Sequence, residues 1–421
     1  MGNQINYPTD EQASAATKSS TSDQVRRQWL WLASALLVIL AVAIRALDNH
    51  FLSTDGALES QWFVYLYEHG FRGIGTIDSN YGMVYNLLVW VTTNFGLGPI
   101  TSIKSITYLF EVILVVLVFA ILKDFGHPPS TSLFLAVCIL FIPSVILNGP
   151  LWGQCDVIYV VFCLASWWAI TRHHTTAAWV LFGLAFAFKI QAVFFLPYLV
   201  YCYCRDIPFR GYSVKVRVLN LLSPVLAMIT FYICQTPGLL TGRSLLNILI
   251  SYFDFLSPLT GNGQMIFGGG VANVWQLMGQ TSGVVLGIVP SAVLFTLGLV
   301  IVLVTASLVR LRTDGFEEQY YLSMVLLILS PYFLPYMHER YFMGAEVFAV
   351  VFAMITRSRV LIATAVLLQF TMMPGYSSYL FQANVSTLTV TPAMMALVNG
   401  VVLFGLLALL FRKPERTADA G

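Results

Sequence analysis

An ionisable side chain at membrane depth costs about 2.5–3.5 kcal/mol on insertion scales, so each one retained inside an apolar chain is a candidate for function. The densest group here is Tyr336-Met337-His338-Glu339-Arg340-Tyr341-Phe342, where a very short turn joins two apolar runs. A turn needs only Gly, Asn or Ser. This one carries a planar guanidinium fork matched to phosphate, and an imidazole that can donate to a phosphate oxygen while sharing a leaving charge. A plain interfacial charge pair between Glu339 and Arg340 is the competing reading. Lys189, in Phe186-Ala187-Phe188-Lys189-Ile190-Gln191, lies too deep among apolar residues to be a loop charge. Either it snorkels to the interface or it meets an anion, for which a lipid-linked phosphate is suited.

Carboxylates supply the other half of the chemistry. Asp55 follows the first apolar run in Leu52-Ser53-Thr54-Asp55-Gly56, either as a turn residue before Gly or as a catalytic carboxylate at the membrane surface. Asp78-Ser79-Asn80-Tyr81 offers a second acidic site, or a cap for the run that follows. Asn148-Gly149-Pro150-Leu151-Trp152-Gly153-Gln154-Cys155-Asp156 sets an indole, an amide and a carboxylate between two apolar helices. Trp152 alone is an interface anchor. With Gln154 and Asp156 it reads as a sugar subsite, because sugars stack on aromatic faces and amide or carboxylate groups bind their hydroxyls. No metal site follows: Phe342 stands where an HExxH motif starting at His338 needs its second histidine, and the cysteines lack CxxC spacing. Gly268-Gly269-Gly270 lacks the strand-turn-helix context of a nucleotide fingerprint, so a soluble nucleotide-sugar donor is not implied.

These residues need a membrane scaffold to hold them. The 421 residues are 58% hydrophobic and 10% charged, with mean hydropathy +0.78, whereas soluble domains are about 25% charged. A net charge of +2 gives no basic surface for a nucleic acid. The apolar runs, from 28–46 to 391–411, predict an all-α integral membrane protein of about 12 transmembrane helices. Discrete basic clusters orient them: Arg26/Arg27, Arg172, Arg205/Arg210/Lys215/Arg217, Arg310/Arg312, Arg357/Arg359 and Arg412/Lys413 face the cytosol. Both termini then lie inside, and one run does not cross. That run is 82–97, whose Asn86, Thr92, Thr93 and Asn94 suit a flat amphipathic helix. External loops follow at 46–103, 148–154, 236–285, 337–342 and 374–390, and 177–204 becomes a hairpin with Lys189 at its tip. A competing topology lets 82–97 cross and makes 177–204 one long helix. Residues 1–27 and 412–421 read as cytosolic tails, the first of them disordered. Asn384-Val385-Ser386 is a glycosylation triplet that decides nothing about compartment.

Taken in order, Trp152-Gly153-Gln154 with Asp156, Phe188-Lys189 with Gln191 ahead of Leu196-Pro197, and His338-Glu339-Arg340-Tyr341 resemble the polytopic GT-C glycosyltransferases. The likeness covers nearly the whole chain and is to bacterial mannosyltransferase-like proteins related to the GPI-anchor mannosyltransferases, and more distantly to the dolichyl-phosphate-glucose glucosyltransferases. It implies a GT-C bundle over 28–411, interfacial helices in the first external loop, and inverting transfer of mannose or glucose from a polyprenyl-phosphate donor to a glycan or glycolipid acceptor. No cofactor or metal is implied. Asp55 is the matching base, although Gly56-Ala57 replaces the aromatic or polar residue that often follows it. Lys189, His338 and Arg340 would hold the donor phosphate. Asp78, Tyr81, Trp152, Gln154, Asp156, Gln191 and Glu339 would bind sugar or acceptor. The resemblance favours a bacterial plasma membrane over the endoplasmic reticulum, with the site external and membrane lipids around it. A transporter or flippase is the rival reading. It would spread polar groups through both membrane halves, whereas these candidates collect at one face.

Overall fold

The computed structural model describes residues 10–206, 221–254, 270–277, 289–310, 316–382 and 390–412, and among them every regular element is helical. The triplet at Asn384, the basic residues Arg210, Lys215, Arg217, Arg312 and Lys413, and Gly268-Gly269 lie outside the described residues. In chain order the helices are α1 (Asp10–Asp48), α2 (Thr54–His69), α3 (Met83–Thr92), α4 (Pro99–Asp124), α5 (Pro129–Cys138), α6 (Pro143–Ile146), α7 (Asp156–Thr171), α8 (Thr175–Phe188) and α9 (Leu196–Asp206). They continue as α10 (Ser223–Cys234), α11 (Thr236–Leu240), α12 (Leu245–Asp254), α13 (Val289–Arg310), α14 (Phe316–Phe333), α15 (Met343–Thr356), α16 (Arg359–Thr371), α17 (Met373–Phe381) and α18 (Pro392–Leu410).

Five stretches are long and apolar enough to cross a membrane: Asp23–Asp48, Pro99–Asp124, Pro290–Arg310, Arg359–Phe381 and Pro392–Leu410. A sixth arises if Pro129–Phe141 and Pro143–Trp152, bent by 54°, form one broken span. Among the described residues length and composition thus support five or six crossings, and about 12 spans are not reached on that ground. Proline is one physical reason: Pro143 starts a new helix inside the run 130–147, which reads as continuous in sequence. A second difference lies at the start of the chain. No Pro or Gly interrupts Asp10–Asp48, and α1 is helical from Asp10, where a disordered tail was expected.

The run 82–97 contains only ten α-helical residues, about 15 Å, half of what a span needs. Its start is pinned by Gln235, whose Oε1 accepts from the Met83 amide at 2.8 Å while its Nε2 donates to the Ala187 carbonyl at 3.1 Å. Gly82 permits that approach, since a Cβ there would lie 2.1 Å from the same carbonyl oxygen. The stretch 177–204 is broken at Lys189, which is extended (φ −152°, ψ 132°) between α8 and a 3-10 turn, Ile190–Phe194.

The two ends of the bundle differ in chemistry. At one end Asp124 binds both Trp168 and Arg172, and Arg357 meets His127 at 3.4 Å. At the other end segments from 46–103, 148–154, 337–342 and 374–390 converge, bringing Asp55, Trp152, Arg340 and Tyr379 into contact.

Candidate functional site

Asp55 is placed by the start of α2. Ser53 caps the helix, accepting from the Gly56 amide at 2.9 Å, and its hydroxyl donates to the Trp152 carbonyl. The cap therefore also fastens the first turn of α2 to the 148–154 segment, and the helix dipole favours a negative charge at Asp55. That segment is a π-turn, Leu147–Trp152, interrupted by Pro150 and closed by left-handed Gly153. Its wide turn projects Trp152 and Gln154 at the Asp55 carboxylate.

Four donors reach Asp55. Trp152 Nε1 (3.0 Å), Gln154 Nε2 (3.0 Å) and Arg340 Nη1 (2.8 Å) meet Oδ2, and Tyr379 Oη (2.7 Å) meets Oδ1. Burial raises the pKa of Asp55, but the Arg340 charge and the hydrogen bonds from Tyr379, Arg340 and Trp152 outweigh it and hold the carboxyl below its ordinary value. The side chain keeps 29% of its exposure, so an incoming hydroxyl can reach it. Arg340 sits on the 3-10 turn Glu339–Phe342, with its guanidinium 5.0 Å from the Trp152 ring. Its Nε is buried without an acceptor, an unmet donor aimed into the site.

Lys189 Nζ forms an ion pair with Asp156 at 2.7 Å, lies 3.4 Å from Gln154 Oε1, and stands 5.2 Å from the Tyr81 ring. Asn80, Tyr81, Lys189, Gln191, Arg340 and Tyr341 are among the residues that line a cleft with about 30 Å³ of free space. That holds roughly two waters. A sugar phosphate enters only as the cleft opens.

Several expected site residues sit differently from their sequence reading. Trp152 is 1% exposed and stacks on Tyr379 (centroids 4.1 Å apart, 20° from parallel), with Tyr376 edge-on at 5.6 Å. It offers its N–H to Asp55, not an open face to a sugar. Asp156 is fully buried and serves Lys189 and Asn148, so the counter-ion of Lys189 in this structure is a carboxylate of the chain itself. Glu339 makes no pair with Arg340. It is 1% exposed, its Oε1 has no partner, and burial pushes its carboxyl up to about 7. His338 lies edge-on to Tyr341 at 5.3 Å, and burial together with the Arg340 charge pulls it down to about 4. At neutral pH it is an uncharged donor, not a cation. Asp78 is exposed, faces Arg243, and caps no helix, since Gly82 holds that position for α3. It stands apart from the cluster. Tyr81 and Gln191 are buried within it.

Residues not singled out in sequence complete the site. Glu59, one turn after Asp55, is 2% exposed and lies within 3.5 Å of Tyr81, Tyr85 and Gln154. An i, i+4 pair of acids on one helix was its available signal. Tyr376 and Tyr379, spaced i, i+3 on α17, had the same kind of signal in a stretch that reads as loop.

Lys189 and Arg340 line one cleft, each paired with a carboxylate of the chain, and the Asp55 carboxylate beside Arg340 is reachable. Among the described residues no group of three or more His, Cys, Asp or Glu is placed to hold a metal ion. Neither a protein-family profile nor a curated protein matches this chain.

Proposed function

We propose that this chain is a membrane glycosyltransferase that moves a hexose from a polyprenyl-phosphate donor to an acceptor hydroxyl at the external face, with inversion. The observation that carries the reading is the contact of Asp55 with Arg340, which lines one cleft together with Lys189. A base for the acceptor and two cations for a phosphate thus adjoin one small space. The short helices α7, α8 and α10 would complete a GT-C-type bundle, and the placement of 337–342 at the end opposite Arg172 and Arg357 supports an external site.

In this reading the acceptor oxygen attacks the anomeric carbon from the side of Asp55, and the acceptor proton passes to that carboxylate. The bond from the anomeric carbon to the phosphate oxygen breaks, and its electron pair stays on that oxygen. Arg340 and Lys189 stabilise the added charge, and loss of one preorganised donor of this kind costs about 10²–10³ in rate elsewhere. Arg340 serves twice. In the resting site it neutralises Asp55, and its buried Nε has no acceptor. As the phosphate takes the guanidinium, Asp55 loses an ion-pair partner and becomes the stronger base.

The test is transfer of radiolabelled sugar from polyprenyl-phosphate-mannose and polyprenyl-phosphate-glucose in membranes carrying wild type, Asp55→Asn or Arg340→Ala. Product from wild type alone supports the reading. No product from wild type with these donors or a wider panel removes it and favours a transporter or flippase.

A further inference from the structure

The site contains more carboxylates than cations. Arg340 is taken by Asp55 at 2.8 Å and Lys189 by Asp156 at 2.7 Å. Glu59 is 2% exposed, and no ion pair reaches it among the described residues. Its neighbours are instead two phenols and an amide: Tyr81 Oη at 3.5 Å, Tyr85 Oη at 3.3 Å and Gln154 Nε2 at 3.3 Å. A buried carboxylate without a cation is costly to keep charged.

Tyr81 has one hydroxyl proton, and its shorter bond, 2.8 Å, goes to Gln154 Oε1. Tyr81 also lies within donor range of Glu59 Oε1, so an ionised Glu59 would compete with Gln154 for that proton. Gln154 spends its two amide protons on Asp55 Oδ2 and Glu59 Oε1, and its carbonyl receives Tyr81 and Lys189. Every polar atom of Gln154 is therefore assigned, and the Tyr81 proton on its carbonyl is the one an ionised Glu59 would draw away.

We propose that Glu59 is a positioning residue carried as the neutral acid, which leaves the Tyr81 hydroxyl proton on the Gln154 carbonyl beside Lys189. This rests on the transferase reading for its consequence, though not for the charge state. Ionised, Glu59 would place a second negative charge one helical turn from Asp55, pull the Gln154 amide toward itself, and compete for Lys189 and Arg340. The charged and titratable groups around it are Asp55 on its own helix, Tyr81 and Tyr85 at the start of α3, Cys155 ahead of α7, Lys189 and Arg340. Lys104 of α4 is turned away, to the carbonyls of Asp48 and Phe51. Burial is the largest influence and pushes Glu59 up to about 8, against the pull of Lys189 and Arg340.

The experiment uses the full chain in lipid nanodiscs, as wild type, Glu59→Gln and Glu59→Leu. Infrared difference titration reads the carboxylic-acid carbonyl stretch, and transfer from polyprenyl-phosphate-mannose is followed across pH 6 to about 9.5. Expected are an acid band lost with a midpoint near 8 and missing from Glu59→Gln, and a wild-type rate that falls about tenfold by one unit above that midpoint. Glu59→Gln keeps most of the neutral rate without the alkaline fall, and Glu59→Leu loses at least tenfold at all pH values. An unchanged band in Glu59→Gln, or an alkaline limb equal to wild type, overturns the proposal. If the band behaves as expected but no variant transfers sugar from any donor, the transferase reading fails and the neutral state of Glu59 stands.

Discussion

Trp152 and Tyr379 lie face to face, with ring centroids 4.1 Å apart, and both donate to the Asp55 carboxylate, Trp152 to Oδ2 and Tyr379 to Oδ1. Stacking and hydrogen bonding thus act on one group from two distant parts of the chain. Tyr379→Phe keeps the stack and removes one donor to the charged form of Asp55. The carboxyl should then rise toward its ordinary value, because a lost donor destabilises the ionised state. The acid limb of the rate profile should move to higher pH, by up to about one unit, with a stability loss on the order of 1 kcal/mol. An unmoved acid limb would count against Asp55 as the base.

Asp55→Asn cannot accept a proton and should lower transfer by at least about 10²-fold. Arg340→Lys keeps a charge but loses the planar fork and its contact with Trp152, so it should bind donor more weakly and lose roughly 10–10²-fold in rate. The comparison is made on single-turnover transfer with donor titrated. Wild-type rates in both variants would remove these residues from the mechanism.

The Lys189 and Asp156 pair is almost wholly buried. Lys189→Met leaves an unpaired buried carboxylate and should cost about 3–5 kcal/mol, whereas Lys189→Met with Asp156→Leu should recover much of it. Thermal unfolding in detergent reads both. Recovery of stability without recovery of activity separates the structural role of the pair from that of the ammonium group.

Glu339 gives a stability prediction with a defined sign. Its folded carboxyl lies near 7 against an ordinary value of 4.5, so between those values the folded state holds more protons than the unfolded one. Stability is therefore full below the ordinary value and lost as pH rises through 7. Glu339→Gln should flatten that slope, raising the melting temperature at pH 8 and leaving it nearly unchanged at pH 5. An identical slope in the variant would mean that Glu339 is not the titrating group.

Gly375 faces the Gly270 carbonyl and the Glu339 Cβ, and a Cβ added to it would lie 2.9 Å from each. Gly375→Ala should tilt α17 and draw Tyr376 and Tyr379 away from Trp152. A shift of that size near the reacting groups should lower transfer by about tenfold to 10²-fold. Loss of the stack, read by tryptophan fluorescence, should accompany it.

Much of the site was legible because charge is expensive in an apolar chain. Asp55, Lys189, Arg340 and Gln154 stood out for that reason, and the structure brings them together although up to 285 positions separate a bonded pair. The ordering of loops by basic clusters likewise placed 46–103, 148–154, 337–342 and 374–390 on one side, and these are the segments that meet. Sequence could not say which face of Trp152 would be covered, because that depends on Tyr379 arriving from the far end of the chain. Nor could it show that Asp156 would satisfy Lys189, or that Asp78 would point at Arg243, since both follow from side-chain direction. Glu59 required knowing that Thr54 begins a helix, which sets it on the same face as Asp55. The run 130–147 read as one span, and the structure restarts its helix at Pro143 with a 54° bend.

Gln235 holds the head of α3 to the tail of α8, and so Tyr81 and Lys189 form one jaw of the cleft. The other jaw is the turn of Arg340 and Tyr341. The Asp55 to Arg340 ion pair ties the start of α2 to that second jaw. In the proposed transfer, a phosphate that claims the guanidinium would release the Asp55 carboxylate that it neutralises.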